Sequence, residues 1–71
     1  MEKFFIEIEL IPTEEESKSL YDSMFKLWGK KVRMLYTGTK AYIHGELESN
    51  AVDYLFEMIQ KKGYTATIDR G

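Results

Sequence analysis

A single histidine and several glutamates are the residues best suited to metal or acid–base chemistry. Glu7 and Glu9 alternate in one apolar-rich segment, and Glu46 lies two positions after His44 in another. Carboxylate and imidazole ligands on neighbouring strands can bind a divalent cation, and two carboxylates can act as an acid and a base. On an open sheet, however, such residues commonly form solvated cross-strand pairs, and no pocket shifts their pKa values. We therefore expect no metal site, no cofactor and no catalytic activity.

The composition argues against several other function classes. The 71-residue chain has no cysteine, which excludes thiol catalysis, thiolate metal sites and disulfides. Its formal net charge of -2 argues against general adhesion to nucleic acid or anionic lipid, because such adhesion needs a strongly basic surface. Glutamates interrupt the apolar residues near the first residue, and no apolar stretch is long enough to span a bilayer. We expect a protein that is not exported, acts in the cytoplasm and does not bind membranes.

Two aromatic residues share the alternating positions of the glutamates and the histidine. Phe5 lies two positions before Glu7, and Tyr42 lies two positions before His44. Rings exposed among charges can bind a protein surface or stack on the bases of a single-stranded nucleic acid. Whether they act together depends on the strands that carry them.

Apolar residues at every second position predict four strands. The inward-facing sets are Phe4, Ile6, Ile8 and Leu10; Val32, Met34 and Tyr36; Ala41, Ile43, Gly45 and Leu47; and Tyr64, Ala66 and Ile68. A turn at Gly38 and Thr39 would join the second and third strands as a hairpin, since glycine readily adopts a positive φ. Half of each strand therefore faces a core.

Two helices are predicted between the strands by their end signals. Thr13–Glu16 forms a capping box that begins the first helix, and Gly29 ends it. Ser49 or Asn50 is expected to cap the second helix, and Gly63 to end it. Both segments have the length of ordinary globular helices.

Each helix has an apolar stripe that repeats at 3.6 residues per turn. The stripes are Leu20, Tyr21, Met24, Leu27 and Trp28 in the first helix, and Val52, Leu55, Phe56 and Ile59 in the second. We expect Trp28 to lie in the core, because a domain this small needs its largest side chain inside. Alternatively, Trp28 and Phe25 at the end of the first helix, with Tyr54 and Met58 on the outside of the second, form a second potential protein interface.

The resulting order, β-α-β-β-α-β, predicts one α+β domain spanning residues 1–71. This is the ferredoxin-like arrangement. The handedness of its crossovers favours a four-stranded antiparallel sheet in the order 4-1-3-2, with both helices on one face.

The opposite face of the sheet has no cover in this arrangement. Its outward residues are predicted to be Phe5, Glu7, Glu9, Arg33, Leu35, Tyr42, His44 and Glu46. Antiparallel pairing of the two central strands is expected to place Phe5 near Glu46, Glu7 near His44 and Glu9 near Tyr42. We expect this face to serve a small, non-enzymatic domain that binds a protein partner or its own copy.

The rings at Phe5 and Tyr42 also support an alternative function. Their placement on the first and third strands resembles the RNA-recognition motif, in which these strands present rings for base stacking. The resemblance covers the topology and the placement of the rings, whereas Lys40–Gly45 departs from the RNP1 pattern. It implies a single-stranded nucleic-acid binder that uses Phe5 and Tyr42.

Overall fold

A computed structural model describes residues 1–71 and contains the strands and helices in the predicted order. The elements are β1 (Glu2–Ile8), α1 (Glu14–Trp28), a short 3-10 turn (Gly29–Lys31), β2 (Val32–Tyr36), β3 (Ala41–Leu47), α2 (Ser49–Lys61) and β4 (Ala66–Arg70). The strands form one antiparallel sheet in the order β2-β3-β1-β4. Read from the other edge, this is the predicted order 4-1-3-2, and the fold is ferredoxin-like.

The core lies between the sheet and the two helices. It is one cluster of 13 buried apolar residues: Phe4, Ile6, Ile8, Ile11, Leu20, Met24, Val32, Ala41, Ile43, Leu47, Val52, Leu55 and Ile59. Successive strand residues point to opposite faces, so helices that cover one face leave the other open. Burial of each large apolar side chain contributes about 1.5–3 kcal/mol, which makes this cluster the main source of stability.

The end of β1 differs from the prediction. The strand stops at Ile8, so Leu10 is 56% exposed and Ile11 is fully buried in its place. The backbone N–H of Ile11 donates to the Thr39 carbonyl over 2.7 Å, and its carbonyl accepts from the Tyr36 hydroxyl over 2.8 Å. These bonds hold the turn that brings Ile11, rather than Leu10, into the core.

The two helices begin differently. Thr13 caps α1 as predicted, since its hydroxyl oxygen accepts from the Glu16 backbone N–H over 3.2 Å. The predicted cap of α2 by Ser49 or Asn50 is wrong, because Ser49 is already helical and Glu48 occupies the N-cap position without a side-chain hydrogen bond to the helix. The Ser49 hydroxyl instead accepts from the guanidinium of Arg70 over 3.1 Å.

The buried stripe of α1 is narrower than predicted. Tyr21 and Leu27 are exposed, and Trp28 is half-buried rather than in the core. Its indole packs edge-on against the Tyr54 ring of α2, with 6.2 Å between the ring centroids. Ser17 is buried instead, one turn before Leu20, because only a narrow strip of a helix contacts a sheet.

Neither helix combines the length and apolar character that crossing a bilayer requires.

Candidate functional site

The outward residues of the sheet, here called the open face, form rows that cross all four strands. One row consists of Arg33, His44, Phe5 and Asp69, in the order β2-β3-β1-β4. The next row consists of Leu35, Tyr42, Glu7 and Thr67. Residues in a row have neighbouring side chains on the same side of the sheet. The open face therefore combines residues from distant parts of the chain.

The predicted pairing of the central strands is wrong by two residues. Glu7 lies opposite Tyr42 rather than His44, and Phe5 lies opposite His44 rather than Glu46. A two-residue shift leaves every side chain on its predicted face, so alternation alone cannot distinguish the two registers. In the observed register, Ile8 pairs with Ala41, the first residue of β3. The end of β1 at Ile8 is consistent with this register.

An apolar strip crosses the middle of the open face. Phe5 is 44% exposed and Tyr42 is half-buried, with 5.9 Å between their ring centroids and 30° between their planes. Leu35 lies opposite Tyr42 and is 60% exposed. These three residues, the apolar strip, span three neighbouring strands and remain open to solvent.

One of the carboxylates beside the apolar strip, that of Glu7, forms an ion pair. Lys40 Nζ lies 3.0 Å from Glu7 Oε2, and both side chains are partly exposed. This hydrogen bond, together with the attraction between the charges, raises the pKa of Lys40 above its usual value. Glu7 therefore presents less negative charge than the sequence implied.

The remaining acidic candidates lie apart. Glu9 follows the end of β1 in an exposed bend, where its backbone N–H donates to the Thr65 carbonyl over 3.0 Å. Glu46 lies towards the other end of β3, opposite Lys3. No group of three or more histidine, aspartate or glutamate side chains has a metal-binding arrangement. The acidic residues thus frame the open face without converging on one point.

A basic depression adjoins the apolar strip at one end of the sheet. This shallow depression of about 370 Å³ is lined by Lys3, Phe4, Lys31, Arg33, His44, Gly45 and Glu46. Gly45 permits the local shape, since a β-carbon there would lie 2.1 Å from the Lys31 carbonyl oxygen. The glycine therefore lets the turn that carries Lys31 approach β3 closely.

Three residues of the open face were not among the predicted candidates. Thr67 and Asp69 extend the two rows onto β4, and Lys3 lies opposite Glu46. The alternation in β4 and the predicted strand order already indicated the positions of Thr67 and Asp69. Thr67 and Asp69 lie on β4, which the predicted open face did not include, and Lys3 precedes Phe4, the first residue of the predicted strand.

Comparisons with protein-family models, curated proteins and solved structures find no match.

Proposed function

We propose that this chain is a small, non-enzymatic interaction domain that binds a protein surface through its open face. The observation that carries the proposal is the uncovered apolar strip of Phe5, Leu35 and Tyr42 at the middle of a charged sheet surface. Burial of this strip would supply free energy at about 25 cal/mol per Å² of apolar area. The surrounding charges would fix the orientation of the partner. We propose that the domain acts in the cytoplasm, because a chain without cysteines forms no disulfides and needs no oxidising compartment to fold.

The paired strands beneath the strip support this function. Phe5 and Tyr42 belong to the two central strands, which pair along seven residues each. A backbone already ordered by strand pairing loses little conformational freedom on binding, so more of the contact energy remains available for affinity. Exposed aromatic residues with this support are typical anchors of protein interfaces.

Ring removal on the open face tests the proposal. The chain serves as bait in an extract of its cell of origin, beside a Phe5→Ala/Tyr42→Ala variant and a Phe25→Ala control. Phe25 on α1 is 46% exposed, close to the 44% of Phe5, so the control removes a ring of similar exposure from another surface. We expect the double variant to lose roughly tenfold or more in affinity for a captured protein.

The control decides how the result is interpreted. Circular dichroism of both variants must match that of the wild type. Capture that persists in the double variant, or is lost equally in Phe25→Ala, would remove the open face as the binding surface.

A second function, binding of single-stranded nucleic acid, is favoured by the continuity between the rings and the basic depression. His44 lies between Arg33 and Phe5 in one row, so bases stacked on the rings would pass beside basic side chains. The ion pair of Lys40 with Glu7 also removes part of the repulsion for phosphate.

The anisotropy of a labelled single-stranded oligonucleotide separates the two functions. Nucleic-acid binding would weaken steeply with salt, because it releases counterions. Replacement of one stacking ring by alanine would also reduce the binding free energy by roughly 1–3 kcal/mol. No binding at low salt would eliminate this second function and leave the protein interface.

A further inference from the structure

We infer that the partner bound by the open face is a second copy of this chain, related by a twofold axis that runs between β1 and β3, parallel to the strands. This inference rests on the proposed function and names its partner. It follows from the positions of charge on the open face and from the even number of strands.

The two ends of one row carry opposite charges. Arg33 on the edge strand β2 and Asp69 on the edge strand β4 belong to the same row, with His44 and Phe5 between them. Both charged side chains are exposed, and neither takes part in an ion pair within the chain. Since neighbouring strands lie about 4.8 Å apart, the two residues are equidistant from a line between the central strands.

A half-turn about that line brings the opposite charges together. It places β2 of one copy over β4 of the other, so Arg33 faces Asp69 of the second copy, and the same contact occurs again by symmetry. His44 then lies over Phe5 of the second copy. In the next row, Tyr42 lies over Glu7, where the phenol hydroxyl can donate to the carboxylate.

The other in-plane axis produces the opposite result. A half-turn about a line across the strands would stack β2 on β2 and β4 on β4. Both copies of Arg33 would then lie along one edge and both copies of Asp69 along the other. Like charges placed together are unfavourable at an interface, so the charge pattern selects the axis parallel to the strands.

The expected dimer is small and reversible. Stacked sheets rotate by about 30° relative to one another, which moves the ends of a row by a few ångströms, within reach of an arginine side chain. A face four strands wide, about 19 Å across, lies at the small end of specific interfaces. Exchange between monomer and dimer is therefore expected.

Charge exchange between Arg33 and Asp69 tests the axis. Sedimentation velocity at low ionic strength, from micromolar to millimolar chain, would compare the wild type with Arg33→Asp and Asp69→Arg. Each single variant places like charges at both symmetric contacts, so we expect its dimer dissociation constant to rise roughly tenfold or more. An equimolar mixture of the two variants restores both contacts and should dimerise like the wild type. Arg33→Asp/Asp69→Arg should do so alone.

The outcomes separate the failure of this inference from that of the proposed function. A wild type that stays monomeric at millimolar concentration overturns self-pairing, while binding of another protein is still decided by the ring variants. Dimers lost in Phe5→Ala/Tyr42→Ala but unchanged by charge exchange overturn the axis and retain the open face. Dimers that survive both sets of substitutions overturn the open face itself.

Discussion

Two exposed ring pairs on opposite sides of the molecule have nearly the same geometry but different origins. Phe5–Tyr42 on the open face and Tyr21–Phe25 on α1 both have centroids 5.9 Å apart and planes inclined by 30°. The pair on α1 joins residues one helical turn apart. The pair on the open face joins two strands and exists only once they pair in register.

The difference shows which exposed rings suggest a binding surface. A pair spaced by four residues on a helix forms wherever the helix forms, and it stabilises that helix by itself. On the sheet, Tyr42 of the Phe5–Tyr42 pair lies beside Leu35, and Phe5 lies in the same row as Arg33. This pair therefore belongs to a surface that is assembled by the tertiary fold. Similar ring geometry therefore does not imply similar function.

The largest expected effect comes from disturbing the support of the open face. In Gly45→Ala, the new β-carbon would meet the Lys31 carbonyl oxygen at 2.1 Å, so backbone must move. We expect a loss of about 3 kcal/mol in the free energy of unfolding, measured by urea denaturation. Amide chemical shifts should change around His44 and Arg33 and much less around Tyr21. Gly38→Ala is a control without the clash, although its φ of 99° also disfavours alanine. A Gly45→Ala variant as stable as the wild type would refute the close approach.

A double-mutant cycle on the sheet pair should give the next largest effect. Phe5→Ala, Tyr42→Ala and the double variant measure the coupling between the two rings in the free energy of unfolding. A coupling of about 0.5–1.5 kcal/mol is expected for an aromatic pair. A coupling indistinguishable from zero would mean that the rings do not meet in solution, and that the apolar strip is not preorganised.

The same cycle on the α1 pair should give a smaller coupling. Tyr21→Ala, Phe25→Ala and their combination are expected to couple by about 0.2–0.5 kcal/mol, as side chains four residues apart on a helix do. Thermal unfolding of the four proteins supplies the measurement. A coupling larger than that of the sheet pair would reverse the comparison and make the helix surface the better candidate interface.

A change of stability at alkaline pH is also expected, and it comes from Tyr64. Burial, followed by the hydrogen bond to Glu16, raises the pKa of Tyr64 from 10.0 to about 12. Because the folded pKa exceeds the unfolded one, this contribution is complete below pH 10 and is lost as the pH rises towards 12. The wild type should therefore lose stability relative to Tyr64→Phe over that interval, in denaturant titrations at several pH values. If the free energies of unfolding of the two proteins changed equally with pH, the raised pKa of Tyr64 would be contradicted.

Much of the fold was predictable from local patterns. The strand order, the inward residues of β2 and β3, the Thr13 cap and the ends of the helices at Gly29 and Gly63 are confirmed. Each depends on alternation, helical periodicity or a residue's own conformational preference, which neighbouring residues reveal. The predicted burial of Leu10 and Trp28 in the core was wrong. Each lies near the end of a strand or helix, where burial depends on the direction that the chain takes next.

The residues of the candidate site were predicted more accurately than their positions relative to one another. Seven of its eight predicted residues are on the outward side of β1, β2 or β3, whereas Glu9 lies beyond the end of β1. The ion pair of Glu7 with Lys40 and the row that joins Arg33 to Asp69 were not foreseen. Both depend on which residues of different strands become neighbours.

The sequence by itself determined which residues of the strands point into the core and which point to solvent, because the alternation of a strand is a local property of the chain. Only the tertiary structure decided which outward side chains meet. Registers that differ by two residues preserve every face, so contacts at the end of each strand must select between them. That selection brings Phe5 together with His44 and places Arg33 and Asp69 at opposite ends of one row.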